Sequence, residues 1–309
     1  TYEYMKHYRI VCLNNMACMS EDQIAAIERY VDRGGNILVT HETSLYDERG
    51  VRRRNFGLAH VLGVDFVQFP QQFTEQIAPG YPVKDKGRKD WVMWTDVPVP
   101  GGKPPTHSYM KITKEHPVTD GLIGKLLPIK SHVYVNDRND NSLGWQRGTS
   151  LHSHPLGDET GFPAVVAGTY GKGKFVYIAG DVGEAYFDSQ SIRLRNLVEN
   201  AIRWFVDGEL PVKVAVPKNV EIALHEGKDR LIVYLVNFIS DAMETSEEIT
   251  ETIPLHDVDI RIKVPEGRSI TEATALRSKK SLVPEIQGKY CKITLPRLEE
   301  FELVSFELS

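Results

Sequence analysis

Apolar and polar positions alternate along this chain with two periods, and the change between them divides it. Residues 9–13, Arg-Ile-Val-Cys-Leu, form an apolar run that Asn14-Asn15 closes, the signature of a strand. Ser20-Glu21-Asp22-Gln23 then reads as a capping box, with Ser20 at the N-cap and Gln23 at N3. Ile24, Ile27 and Val31 recur at helical spacing, and Gly34-Gly35 supplies the stop. A second apolar run follows over residues 36–40, then a short helix over 55–62 and a strand over 64–69. Strand and helix alternating in this order predict a parallel sheet with right-handed crossovers.

Further on, residues 109–113 and 133–135 read as extended, and 136–150 as a polar loop. Residues 162–169 and 174–180 form a strand pair across the turn Tyr170-Gly171-Lys172-Gly173. A strongly amphipathic helix over 191–206 carries Leu194, Leu197, Val198, Ala201, Ile202 and Phe205 on one face. After Pro211 the helical period disappears. Strands are predicted at 212–216, 220–224, 230–238, 257–264, 269–276, 290–295 and 301–308, the spacing of an all-β sandwich. The expected organisation is an α/β domain over 1–208 and a β-sandwich over 209–309.

The regular pattern breaks over residues 70–108. Seven prolines fall there, Pro70, Pro79, Pro82, Pro98, Pro100, Pro104 and Pro105, with Trp91 and Trp94 between them. A long irregular segment of this kind is either a binding loop or a surface excursion pinned by its aromatics.

Composition narrows the function classes. With 309 residues, 41% hydrophobic and 26% charged, the chain has material for two cores and does not read as disordered. A net charge of -5 gives no basic surplus for nucleic acid or an anionic membrane. No apolar stretch approaches the ~20 residues that span a bilayer. Three cysteines, Cys12, Cys18 and Cys291, form no disulfide or zinc spacing, and Cys12 is expected in the core. A reducing, cytoplasmic setting fits this usage.

Chemistry concentrates where the second strand meets its loop, His41-Glu42-Thr43-Ser44. Open α/β sheets bind ligands just past the carboxyl ends of their strands. A nucleophile elbow at such a point would carry Cys, or Ser between glycines. Here His41 stands at that place, and Ser44 lacks the flanking glycines. Glu42, Asp47 and Glu48 form the nearest carboxylate cluster, but glycoside hydrolysis needs two carboxyl groups facing one bond. The alternative is that they satisfy Arg49, Arg52, Arg54 and the loop's own N–H groups. His152-Ser153-His154 with Asp158 and Glu159 has part of a metal-site spacing, without an evident third ligand. Asp181 and Glu184 follow another strand, where they either cap the long helix or line a cleft, capping or loop hydrogen bonding being the commoner use. Gly171-Lys172-Gly173 joins two strands and is a hairpin turn, not a phosphate loop.

Several stretches carry a resemblance. Residues 8–14, Tyr-Arg-Ile-Val-Cys-Leu-Asn, together with Met19-Ser20 and Gly34-Gly35, resemble the trimerisation domain of family-42-type β-galactosidases and related glycoside hydrolases. So do Glu42-Thr43-Ser44-Leu45-Tyr46-Asp47-Glu48, Phe56-Gly57-Leu58-Ala59, Tyr170-Gly171-Lys172-Gly173-Lys174 and the closing helix to Trp204. The resemblance covers about two-thirds of the chain, and the loop at Glu42 is its most specific part. It implies a flavodoxin-like, class I glutamine amidotransferase-like three-layer fold without the amidotransferase nucleophile. The last hundred or so residues resemble the small β-sandwich that ends such enzymes.

In such enzymes a (β/α)₈ barrel precedes this module and holds both catalytic carboxylates. No eight-fold pattern exists here, and the first strand and helix of the flavodoxin-like fold are not seen. The resemblance therefore implies a C-terminal portion of a longer enzyme, a homo-oligomer (a trimer above all), and a barrel segment of the same protein as partner. It also implies that the strand at Ile10 has an open edge. No catalytic residue, metal or cofactor is expected in the chain itself. His41, Glu42, Tyr46, Asp47, Arg54, Trp91 and Trp94 are the expected residues lining a carbohydrate substrate, and Trp91, Trp94 and Phe69 the apolar contributors to assembly. Two rival readings stand beside this one. The first is a stand-alone carbohydrate-binding or interaction module. The second is an amidotransferase-like or trehalose-utilisation-like small-molecule enzyme acting through His41 and Glu42.

Overall fold

The computed structural model describes residues 1–67, 107–149, 159–217, 219–239 and 251–309. The Pro-rich segment with Trp91 and Trp94, Phe69, and His152, His154 and Asp158 lie outside them. The chain divides into two units, Thr1–Gly208 and Glu209–Ser309.

In the first unit a short helix, α1 (Tyr2–Met5), precedes β1 (Ile10–Asn14). The capping box forms as the sequence dictates: Ser20 Oγ accepts from the Gln23 N–H, and Gln23 Oε1 accepts from the Ser20 N–H. Helix α2 (Glu21–Asp32) buries Ile24, Ile27 and Val31 together with Tyr30. Every residue of β2 (Asn36–Thr40) is buried, as a strand covered on both faces must be. Helix α3 (Ala59–Leu62) is half the length its sequence predicts. Asn55 instead holds a turn, its side-chain oxygen accepting from the N–H groups of Phe56 and Phe66.

The sheet is mixed, not parallel. Its order is β1-β2-β9-β8-β7-β4-β5-β10, with β4 (His107–Ile112), β5 (Leu126–His132), β7 (Ser142–Thr149), β8 (Glu159–Tyr170), β9 (Gly173–Ile178) and β10 (Gly180–Asp181). Only β1, β2 and β9 run parallel. The tight turn at Gly171-Lys172 forces β8 antiparallel to β9, and antiparallel pairing continues to β10. The expected third parallel strand, β3 (Val64–Phe66), leaves the sheet and pairs antiparallel with β6 (Val135–Asp137). Gly173 is fixed by packing: a Cβ there would overlap the carbonyl oxygens of Gly35 and Val31 at the end of α2.

Residues 142–149, expected in a polar loop, form β7 between β4 and β8. The strand was hidden because a buried position holds glutamine. Gln146 Nε2 donates to the carbonyls of Val133 and Pro163, at 2.9 and 2.8 Å. Residue 144 has to be glycine for the same packing reason, since a Cβ would press on the Lys111 carbonyl.

Apolar side chains gather on both faces of the sheet. Leu13, Ile37, Val39, Phe175 and Tyr177 join α2 and α3 in one cluster. Leu38, Val176, Ile178, Met110 and Ile112 join α4 (Val182–Ser189) and α5 (Ile192–Phe205) in another. Helix α5 buries Leu194, Leu197, Ala201 and Phe205 of the six-residue face read from the sequence, and leaves Val198 and Ile202 half-buried. Cys12 is exposed, not in the core: β1 lies at the end of the sheet, and only its Leu13 is buried.

In the second unit two antiparallel sheets share one apolar cluster. The first has order β11-β14-β18-β17, from β11 (Val212–Val214), β14 (Leu255–Lys263), β17 (Glu285–Gln287) and β18 (Tyr290–Leu298). The other has order β12-β13-β19-β15-β16, from β12 (Val220–Glu226), β13 (Arg230–Asn237), β15 (Ile270–Ala275), β16 (Lys280–Leu282) and β19 (Phe301–Leu308). Val258, Ile260 and Ile262 alternate into the cluster as their period requires. The buried Glu302 carboxylate accepts from the N–H groups of Arg277, Ser278 and Leu303, which fixes the turn after β15. Lys263 and Lys289 both pair with Glu209 and bring its carboxyl down to about 2.

Candidate functional site

The loop after β2 is built from backbone strain held in place by hydroxyl groups. Asn15, His41 and Ser44 all have left-handed backbones, with φ of 48°, 56° and 67°. Asn and His are the non-glycine residues that enter that region most readily, whereas Ser pays of order 1 kcal/mol. Neighbouring bonds hold the conformation. The His41 N–H donates to the Ile178 carbonyl at 2.9 Å, and the Tyr177 hydroxyl donates to the His41 carbonyl at 2.9 Å. Thr40 Oγ1 accepts from the Asn15 N–H, and Thr43 Oγ1 donates to the Leu13 and Thr40 carbonyls while accepting from the Met16 N–H. Ser44 is fully buried and its Oγ accepts from the Leu58 N–H, so the hydroxyl is structural.

His41 therefore stands at a strained strand-to-loop elbow beside the carboxyl ends of β1 and β9. Its side chain is buried, and Nδ1 lies 3.1 Å from Asn15 Oδ1. An amide oxygen accepts only, so the ring carries its proton on Nδ1. Burial brings the imidazole down to about 4, with the nearby Asp181 carboxylate pulling the other way. The ring is neutral at neutral pH. Glu42, next in sequence, is half-buried. Burial raises its carboxyl above the ordinary range, opposed by the Tyr46 hydroxyl, 3.4 Å from Oε1, and by the Arg52 guanidinium.

The expected lining residues thus separate. His41, Glu42 and Tyr46 fall in one loop. Asp47 turns away to build the next turn, its Oδ1 accepting from the N–H groups of Val51 and Arg49. Those bonds, the Val51 one first, hold its carboxyl below the usual range. Arg54 is exposed, and Arg53 pairs with Glu21 and the Met19 carbonyl. Trp91 and Trp94 lie outside the described residues. Asp181 does cap a helix, accepting from the Glu184 N–H at 2.9 Å, but the helix is α4 and not the longer α5. Asn15 and Tyr177 are the partners that sequence reasoning missed. Asn15 reads as a plain strand stop, and Tyr177 as one more apolar strand residue. Among the described residues, no three His, Cys, Asp or Glu side chains group as metal ligands would. No helix among them is long and apolar enough to cross a membrane.

A mixed α/β unit with a buried histidine at its strand-to-loop elbow is an amidotransferase-like domain without the cysteine. The model of the ThuA family, described as trehalose utilisation, matches residues 1–205, and the chain belongs to that family. No curated protein sequence matches the chain. Among solved structures it is similar to α-L-fucosidase isoenzyme 2 from Paenibacillus thiaminolyticus, with a TM-score of 0.69 at 17% identity, over 98% of this chain and 41% of that one. It is also similar to β-galactosidases from Bacillus circulans sp. alkalophilus and Rahnella sp. R3. Both give a TM-score of 0.57 at 14% identity, over 97% and 98% of this chain and 33% of each of those. At such identities the likeness is one of fold, and the chain spans well under half the length of these structures.

Proposed function

We propose that this chain is the accessory, oligomer-building portion of a carbohydrate-active glycoside hydrolase. The catalytic carboxylates then belong to a (β/α)₈ barrel segment outside these residues. The observation that carries the reading is one of extent. Nearly all of this chain, both units in order, resembles 41% of the fucosidase and 33% of each galactosidase. On this reading the first unit is a flavodoxin-like trimerisation domain and the second a bracing β-sandwich. The loop at His41, Glu42 and Tyr46 lines the substrate cleft of the associated barrel, with Trp91 and Trp94 as further contributors. The bonding within the loop supports a lining role and not a catalytic one. Asp47 is used by backbone donors, so Glu42 and Asp47 do not form a pair of carboxyl groups free to share a scissile bond.

The ThuA match and the neutral, buried His41 favour a second reading. In it the elbow is a small-molecule site of its own, with His41 and Glu42 contacting a sugar. Assaying the chain by itself separates the two. The accessory reading expects no cleavage of nitrophenyl glycosides and a sugar affinity that Glu42→Gln leaves unchanged until the barrel is present. Turnover or sugar binding by the chain alone that Glu42→Gln abolishes selects the second.

A further inference from the structure

The basic run Arg52-Arg53-Arg54 is sorted by the turn that carries it. The Asp47 N–H donates to the Val51 carbonyl at 2.9 Å, and the Arg53 N–H to the Leu45 carbonyl at 2.8 Å. Tyr46 and Arg52 face each other between those two bonds, in an antiparallel bridge. They are thus a non-hydrogen-bonded pair, the kind that sets two side chains closest together on one face. Their neighbours take the other face: Leu45 is fully buried, and Arg53 pairs with Glu21 and the Met19 carbonyl. The Tyr46 hydroxyl lies 3.4 Å from Glu42 Oε1, and the Arg52 guanidinium is near enough to oppose the rise of that carboxyl. A carboxyl, a phenol hydroxyl and a guanidinium therefore share one patch beside the elbow. Arg52 also lies over the Phe66 ring, 5.9 Å from its centre. Phe66 meets the buried Phe56 edge to face at 5.8 Å, so the guanidinium rests on an anchored platform.

We propose that Arg52 and Glu42 together grip a vicinal diol of an uncharged sugar, with Arg52 as the specificity-determining residue of the elbow. On the second reading, on which this assignment rests, the elbow is a small-molecule site of its own. Charge decides the class of ligand. Guanidinium and carboxylate offset each other, so the pair offers no net attraction to a uronate or a sugar phosphate, and Glu42 repels either. Hydroxyl groups both donate and accept. Of two adjacent sugar hydroxyls, one donates to the Glu42 carboxylate while the other accepts from the Arg52 fork. The Tyr46 hydroxyl, between them in the patch, can serve either role. Arg53 is committed to Glu21 and takes no part.

The test uses the 309-residue chain. The neutral probes are methyl glucoside, methyl galactoside and methyl fucoside, and the charged ones methyl glucuronide and methyl galacturonide. The 3-deoxy analogue of whichever neutral probe binds best lacks any vicinal ring diol. Titrations followed through the backbone amides of residues 41–53 and the Arg52 side-chain N–H signal read place and affinity together. The expected result is that a neutral glycoside shifts these signals, and that the uronides and the 3-deoxy analogue bind several-fold more weakly. Arg52→Gln weakens the best glycoside about tenfold, while Arg49→Gln, on the exposed turn, leaves it unchanged. A uronide that binds more tightly than its glycoside overturns the proposal. So does unchanged affinity in Arg52→Gln while the loop signals still move, and either result leaves the elbow standing as a sugar site. No shift in the loop with any probe refutes the elbow as a site of its own and this assignment with it. Should Arg52→Gln fail to fold, the wild-type ranking of glycoside, 3-deoxy analogue and uronide decides.

Discussion

At the scale of single residues, His41 sets the behaviour of the site. Its folded-state affinity for protons, at about 4, lies below the ordinary histidine value because burial disfavours the charged ring. The unfolded chain therefore binds a proton first as pH falls from about 6.5. Stability contributed by the neutral ring is fully present above that value and is lost as pH falls toward about 4. The full loss is of order 3 kcal/mol at ~1.4 kcal/mol per pH unit of difference. Denaturant midpoints of wild type and His41→Gln, compared at neutral and mildly acid pH, check this. The wild type loses more than the variant, and parallel losses would show that the ring titrates freely. Asn15→Ala tests the tautomer. It removes the acceptor for Nδ1–H, so the imidazole nitrogen resonances of His41 move from one fixed tautomer toward an average, while the fold persists.

Secondary elements follow their sequence where a local rule is sufficient. Ser20→Ala removes one partner of the capping box and costs about 1 kcal/mol, read as a lower thermal midpoint. Leu197→Ala opens a cavity under α5 and costs about 2–5 kcal/mol, while Ile192→Ala, on the exposed first turn, changes little. Gly173→Ala presses a methyl group on two carbonyls and costs about 2–3 kcal/mol. The same distinction explains what could be read in advance. Helices α2 and α5 and strand β2 were legible from periodicity and caps, because each buries a regular stripe. Strand β7 was not, because its buried Gln146 is satisfied by carbonyls of residues 133 and 163, partners that no local pattern announces. Pairing direction was equally hidden. Period two marks a strand, but it was the Gly171 hairpin and the departure of β3 that made the sheet mixed. The elbow was legible as a place, through His41 after an apolar run. Its construction was not, since Asn15, Tyr177 and Thr43 reach it through the fold.

At the scale of the whole chain, the proposed accessory role rests on extent: the chain spans well under half the length of the glycoside hydrolases whose fold it shares. The site loop offers one half-buried carboxyl, Glu42, and spends Asp47 on backbone donors. The chain belongs to the ThuA family and shares its fold with parts of larger glycoside hydrolases; that it shapes a sugar site and does not itself cleave a bond is the proposal. The most direct measurement is turnover of nitrophenyl fucosides and galactosides by the purified chain. The account predicts a rate no greater than the buffer blank. Sustained release of nitrophenol that Glu42→Gln abolishes would contradict it.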